Sequence, residues 1–191
     1  MRKLALILVL TACLPTIAPA QAAPADQPKT GQTTCTDTTG GAIPCTASGQ
    51  DGDHQAGVAW PAPRYVVGTG ATAACVTDKL TGLMWMGTPD SVADTWANAL
   101  ASANNLTLCG FSDWRLPNIN ELESLVNSAV GDQATYLNTQ GFNGVKASYY
   151  WSSSSHPASP GAARIVVMTE GSVSAYDKAS NSYVWPVRTA Q

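Results

Sequence analysis

Cysteines, histidines, closely spaced carboxylates and aromatic–basic groupings are the side chains of this 191-residue chain that could do chemistry. Five cysteines are present. Cys13 sits in an apolar N-terminal stretch, which leaves Cys35, Cys45, Cys75 and Cys109. No C-x-x-C pair occurs, and neither His54 nor His156 has a partner at a metal-ligand spacing, so a zinc site is not expected. An even cysteine count in an exported chain reads as disulfides, with three pairings open. Joining neighbours, Cys35–Cys45 and Cys75–Cys109, is the simplest of the three. In chain-entropy terms the longer loop then contributes roughly 4 kcal/mol and the shorter roughly 3.

The carboxylates offer little catalytic promise. Glu121 and Glu123 are two apart, so on a helix they diverge. Glycoside chemistry needs two facing carboxylates roughly 5 to 9 Å apart. Asp51 and Asp53, in Gly49-Gln50-Asp51-Gly52-Asp53, are the weak candidates for calcium. The further acidic positions and terminal Glu of an EF-hand loop are missing, and a solvated turn is the simpler reading. No metal or cofactor is expected. His156 falls in Ser152-Ser153-Ser154-Ser155-His156-Pro157, read as a loop, and no G-x-S-x-G elbow is present. The chain is therefore expected not to be an enzyme.

Binding candidates lie toward the C-terminus. Tyr149, Tyr176 and Tyr183 supply amphipathic rings, and Arg164, Lys178 and Arg188 supply donors. Aromatic and polar groups together suit extracellular glycan or protein ligands. Trp151 and Trp185 read as core.

Met1-Arg2-Lys3 followed by Leu4 to Leu10 has the form of an export signal, far short of the ~20 residues that span a bilayer. Ala20-Gln21-Ala22 is an A-x-A cleavage site and makes residues 1–22 the leader. Leu10-Thr11-Ala12-Cys13 resembles a lipobox, and Cys13 would then carry a lipid anchor. It requires an unusually short leader, so cleavage after Ala22 is preferred. Either route sends the chain to the periplasm, the medium or the cell surface, with no transmembrane segment. The formal net charge is −3. Loss of Arg2 and Lys3 leaves eight basic residues against 13 acidic ones, a net of −5. That balance argues against nucleic acid or an anionic membrane as partner.

These groups need elements to hold them. Residues 23–57 divide into a flexible spacer, Ala23 to Thr34, and an irregular loop stapled by Cys35 and Cys45. The folded domain is expected over 58–191. Arg64 to Val67 and Cys75 to Thr77 read as strands, and Leu83 to Met86 as a buried apolar run. Trp96, Leu100, Ala103 and Leu106 predict a helix capped by Asp90 or Ser91. A second helix runs from Ile119 to Ser128, with Asn118 and Glu121 as its capping box and Gly131 as its stop. Just before it, in Trp114-Arg115-Leu116-Pro117, Trp114 is expected to pack and Arg115 to pair with Glu121 or Glu123. Strands follow at Tyr149 to Ser153, Arg164 to Met168, Ser172 to Tyr176 and Tyr183 to Trp185. Helices followed by antiparallel strands indicate α+β, here two helices packed on antiparallel sheets and stapled by disulfides.

Several stretches in order carry a family resemblance. They are Val76-Thr77-Asp78-Lys79-Leu80-Thr81-Gly82-Leu83-Met84-Trp85, Trp96-Ala97-Asn98-Ala99-Leu100, Cys109 to Asn118 with Glu121-Leu122 and Leu125-Val126, Tyr150-Trp151-Ser152-Ser153, and Tyr183-Val184-Trp185-Pro186-Val187-Arg188. Together they resemble the Lcl C-terminal domain family, over roughly Cys35 to Arg188 when Cys45 and Gly49 to Asp53 are included. The resemblance implies a C-type-lectin-like fold, shared with the formylglycine-generating and sulfatase-modifying enzymes. It also implies surface adhesion to glycans and a homo-oligomer. Those enzymes work through cysteine chemistry, and an enzyme or enzyme-accessory role of that branch is the alternative. Two departures stand out. Gly68 to Ala74 lacks the carboxylates of the usual Asp-rich turn, which speaks against a cation there. Trp185 stands where relatives often have Arg, which speaks against a strongly anionic ligand.

Overall fold

The computed structural model describes residues 27–190. The leader, both of its processing readings and Cys13 lie outside the described residues.

The elements in chain order are β1 (Cys35–Thr36), β2 (Ala42–Ile43), α1 (Asp51–His54), β3 (Tyr65–Val67), a 3-10 turn (Gly70–Thr72), β4 (Cys75–Asp78) and β5 (Leu83–Met86), followed by α2 (Trp96–Asn104), α3 (Ile119–Glu123) and α4 (Gln133–Thr139), and then by β6 (Tyr149–His156), β7 (Ser159–Val167), β8 (Ser172–Asp177) and β9 (Val187–Thr189). Two antiparallel sheets result, β3-β4-β5-β9 and β6-β7-β8, beside the small β1-β2 hairpin. The chain is α+β, and both disulfides join neighbours: Cys35 to Cys45 and Cys75 to Cys109.

In β5 the pleat alternates Leu83 and Trp85 inward with Met84 and Met86 half-buried. Trp85 pairs with Val187 of β9, so β5 lies between β4 and β9. The larger core gathers Trp85, Leu122, Leu125, Leu137, Phe142, Tyr150 and Trp185 between the sheets and the short helices. Trp185 is its hub. Its ring lies 5.1 Å from Phe142, 5.4 Å from Tyr150 and 5.8 Å from Trp85, and its indole N–H donates to the Met86 carbonyl at 2.8 Å. A second core seats Ala99 and Ala103 of α2 against Trp151 and Ile165. Small residues let that helix come close to the β6–β7 surface.

The Cys75–Cys109 disulfide and Trp114 form a third, smaller cluster. Leu108 and Phe111 exchange both backbone hydrogen bonds at 3.0 Å across Cys109-Gly110. Both central residues have positive φ, 55° at Cys109 and 80° at Gly110. That is the signature of a type I′ turn, with cysteine at the place where asparagine is usual.

The helices differ from expectation in number and bounds. Four α-helical segments occur among the described residues. The first long one begins at Trp96 behind Thr95, not behind Asp90 or Ser91. The backbone of 90–94 is spent elsewhere: Asp90 N–H donates to the Val184 carbonyl, and Asp94 bridges Ser182. The capping box at Asn118 and Glu121 forms as read, but α3 stops at Glu123. The chain then tightens, with Leu125 N–H donating to Leu122 and Val126 N–H to Glu123, which turns Leu125 into the core. Gly131 is therefore not the stop of α3. It precedes α4, which was not expected, and which Asp132 caps through the Thr135 N–H at 3.0 Å.

Four other expectations shift. Residues 27–34 are docked, not a free tether. Lys29 and Val58 hydrogen-bond through their backbones, Trp60 donates its indole N–H to the Lys29 carbonyl at 2.8 Å, and Ser128 N–H donates to Thr30. The Cys35 to Gly57 stretch holds a hairpin and one helical turn. The closing strand is Val187–Thr189, while Tyr183 makes a parallel bridge to Tyr150. His156 ends β6, paired with Ser159, and is not in a loop.

Candidate functional site

Strand register decides which of the expected binding residues can act together. Tyr149 and Trp151 alternate with Tyr150 on β6, and Tyr176 opposes Ala163 while Arg164 opposes Ala175. Side chains two apart share a face, so Tyr149, Trp151, Tyr176 and the following Lys178 lie on one side. Arg164 shares the other side with Tyr150 and Val166.

The first face carries a continuous aromatic run. Tyr149 is 40% exposed, and its ring meets that of half-buried Tyr176 edge-on at 5.3 Å. Tyr176 in turn lies 5.9 Å from buried Trp151. Trp96 extends the surface from α2, fixed by its indole N–H on the Ser152 carbonyl at 2.8 Å. The Lys178 ammonium sits 4.1 Å from the centre of the Trp96 ring and donates to Ser155 Oγ at 2.8 Å and to the Pro160 carbonyl at 2.9 Å. Its position is thus set by an aromatic face and two acceptors. The arrangement offers ring edges, phenol hydroxyls and one placed cation. Such a patch can stack on apolar faces and hydrogen-bond at its margin. Trp96 is a member that sequence reading placed only as a helix core residue.

Three expected members fall elsewhere. Tyr183 packs on Tyr150, ring centres 5.5 Å apart, beside the larger core. Burial pushes the Tyr150 phenol up to about 12, and its oxygen accepts the Lys146 N–H at 2.8 Å. Arg164 is half-buried on the opposite face. Arg188 is not a surface donor at all. It is 1% exposed, its Nε donates to Asp113 Oδ1 at 2.6 Å, and its guanidinium lies 3.7 Å from the Phe111 ring. The hydrogen bond from Arg188 is the main cause holding the Asp113 carboxyl below the usual carboxylate range. Trp185 is fully buried, so its identity carries no information about ligand charge.

The Trp114 to Pro117 run is a folding device. Trp114 is buried and donates its indole N–H to the Leu108 carbonyl at 3.1 Å. Arg115 pairs with Glu121, both N···O distances 2.7 Å, and not with Glu123. Glu121 also accepts the Asn118 N–H at 2.8 Å, so one carboxylate serves both the ion pair and the helix cap. Burial alone would raise the Glu121 carboxyl, but Arg115 and the Asn118 N–H outweigh it and hold it below 4.5. A carboxyl depressed in the folded state contributes stability above its ordinary value and loses it as pH falls through the lowered one. Urea midpoints should therefore fall between about pH 5 and pH 3, and Glu121→Gln should flatten part of that fall. The pair is partly exposed, so its share is about 0.5–1 kcal/mol. An unchanged acid limb in the variant would refute this role.

Asp51 accepts from the Thr30 hydroxyl, and Asp53 accepts the Gly49 N–H at 3.2 Å. Both carboxylates thus organise the N-terminal segment. Among the described residues no group of three or more His, Cys, Asp or Glu side chains converges as a metal site.

Sequence reading missed Arg64 and Asp78. Asp78 is fully buried and accepts Arg64 Nε at 2.9 Å and Nη2 at 2.7 Å, together with the Leu80 N–H and the Thr81 hydroxyl. Arg64 Nη2 also donates to the Ser124 carbonyl, tying the first sheet to the end of α3. The signal available was Asp78 ahead of the Leu80-Thr81-Gly82 turn, but its partner lies 14 residues upstream across a strand pair.

Together the geometry defines a disulfide-stapled α+β module with a partly exposed aromatic face. The chain belongs to the Lcl C-terminal domain family, whose model matches residues 74–188. The Cys35–Cys45 segment lies outside that match. No curated protein matched the chain.

Proposed function

We propose that this protein is an exported, non-catalytic binding module with a C-type-lectin-like fold, acting in surface adhesion or recognition of a glycan or protein. The Tyr149–Tyr176–Lys178 face with Trp96 carries the reading, because its side chains are positioned by one another and Tyr149 stays open to solvent. Export is supported by the leader-like N-terminus and by two closed disulfides. Against the sulfatase-modifying alternative stand Cys75 and Cys109, which are bonded to each other and buried.

Two measurements test it. Thiol titration of the exported, unreduced protein should find no free thiol, and a reactive thiol at Cys75 or Cys109 would favour the enzymatic branch. A glycan array and a pull-down should yield a ligand, and Tyr176→Ala with Lys178→Ala should weaken it at least about tenfold, or 1.4 kcal/mol. Failure to retain any ligand at high protein concentration would defeat the proposal.

A further inference from the structure

Strand β8 is the outer strand of its sheet, bonded to β7 on one side only. Its ladder runs unbroken from the Ala162–Asp177 pair to the Val167–Ser172 pair. The Lys178 N–H donates to the Gly161 carbonyl at 2.9 Å and continues the same register. Hydrogen bonding alternates along an antiparallel ladder, so Ser172, Ser174 and Tyr176 also turn their backbone groups toward β7. Val173, Ala175 and Asp177 turn theirs the other way. Their N–H groups have no partner among the described residues, and of their carbonyls only that of Asp177 accepts a bond, from the Ser180 N–H at 2.9 Å.

A row of unmet backbone groups is a template for another strand, and edges are usually blunted by proline, a bulge or an outward lysine. β8 contains no proline, and its ladder has no bulge. The lysine that follows it is drawn off the edge, because Lys178 Nζ reaches back over the sheet to Ser155 Oγ and the Pro160 carbonyl. Helices α2 and α3 pack over β6 and β7, and Ser172, Ser174, Ala175 and Asp177 are exposed.

The occupant that fits this edge is an identical strand. Run antiparallel with a twofold axis on Ala175, a second copy sets Ala175 against Ala175 and Val173 against Asp177. Only outward-turned residues then meet, so N–H groups find carbonyls along the strand. Ser174 stands against Tyr176 of the second copy, a neutral pair. Asp177 is the only charged residue of β8, and it lies opposite Val173, at the far end from Asp177 of the second copy. Like charges therefore do not meet. A charged peptide would find no counter-charge on Ser172 to Tyr176, and an identical strand needs none.

We infer that two copies of this protein pair through β8, joining their three-stranded sheets into one of six strands. The twofold axis stands perpendicular to the sheet, so the Tyr149–Tyr176–Lys178 faces of both copies lie on the same side. The pairing does not depend on what those faces bind. One strand pair is a small interface beside the roughly 1,200–2,000 Å² of stable complexes, so the dimer should dissociate on dilution.

Sedimentation velocity of the full mature chain, from micromolar to millimolar concentration, should show monomer passing into dimer. Ala175→Pro removes an outward N–H at a place where an edge strand tolerates proline, so it should fold and stay monomeric. Ala175→Lys and Ala175→Glu each set like charges directly opposite at the twofold and should raise the dimer dissociation constant about fivefold or more. Mixed at low salt, those two should pair again, because lysine then faces glutamate. Circular dichroism matching that of the parent chain verifies that each variant is folded. A chain that stays monomeric at millimolar concentration overturns the proposal. So does a dimer unaltered by Ala175→Lys and Ala175→Glu, or a mixture of the two folded variants that fails to pair.

Discussion

Asp78→Ala should cost about 3–5 kcal/mol of stability, the largest single effect expected from a polar side chain in this protein. The carboxylate is fully buried, and four donors converge on it: Arg64 Nε and Nη2, the Leu80 N–H and the Thr81 hydroxyl. Removing it strands a guanidinium that is itself 3% exposed and that already holds one unpartnered nitrogen. The penalty is the cost of an uncompensated buried charge and not the net worth of the pair. Replacing both members, Arg64→Met with Asp78→Leu, should therefore cost less than Asp78→Ala alone. Urea unfolding of the three proteins checks the order. If the double replacement costs as much as Asp78→Ala or more, the pair contributes favourably in its own right.

Trp185→Ala should lose about 3–5 kcal/mol through the cavity left behind. The loss falls at the meeting point of both sheets. Phe142, Tyr150 and Trp85 each lose a ring contact, and the Met86 carbonyl loses the indole donor. The unmet carbonyl adds about 1–3 kcal/mol unless water reaches it. Trp185→Phe keeps most of the volume and should be the milder change. Thermal denaturation of both variants checks this. Equal effects would mean that the indole N–H, not the packing, is what counts. Against a typical domain stability of about 5–15 kcal/mol, either alanine variant leaves little margin.

What the sequence showed and what it hid follow the range of the interactions. The Asn118–Glu121 capping box and the Arg115–Glu121 pair join residues three and six apart, so local spacing revealed them. The strands read at Arg164 to Met168 and Ser172 to Tyr176, which pair as β7 and β8, were legible for the same reason. Arg188 was misread because its partner Asp113 is 75 residues away, and nothing next to an arginine shows that it will be buried. Helix α4 escaped because its apolar positions are few, Ala134 and Leu137, and buried Gln133 breaks the pattern while its amide bonds Asn127 and Val130. Tyr149, Tyr176 and Lys178 of the aromatic face were visible as residue types, and Trp96 was not. That Tyr149, Tyr176 and Lys178 share a side while Arg164 does not depends on register, which composition cannot supply.

The pairing of β5 with β9 has a consequence for how the molecule is made. Met84 and Arg188, partners across that ladder, are 104 residues apart in the chain. A chain delivered from its N-terminal end presents β3, β4 and β5 long before β9 emerges. Until then one edge of β5 lacks its hydrogen-bonding neighbour, and Trp85 lacks both Val187 and Trp185. Contacts so distant in sequence also slow folding. The nascent protein thus passes through a stage with an open, apolar strand edge, the kind of surface on which chains pair wrongly with one another. Guarding that edge until residue 189 arrives is a task for whatever holds the emerging chain.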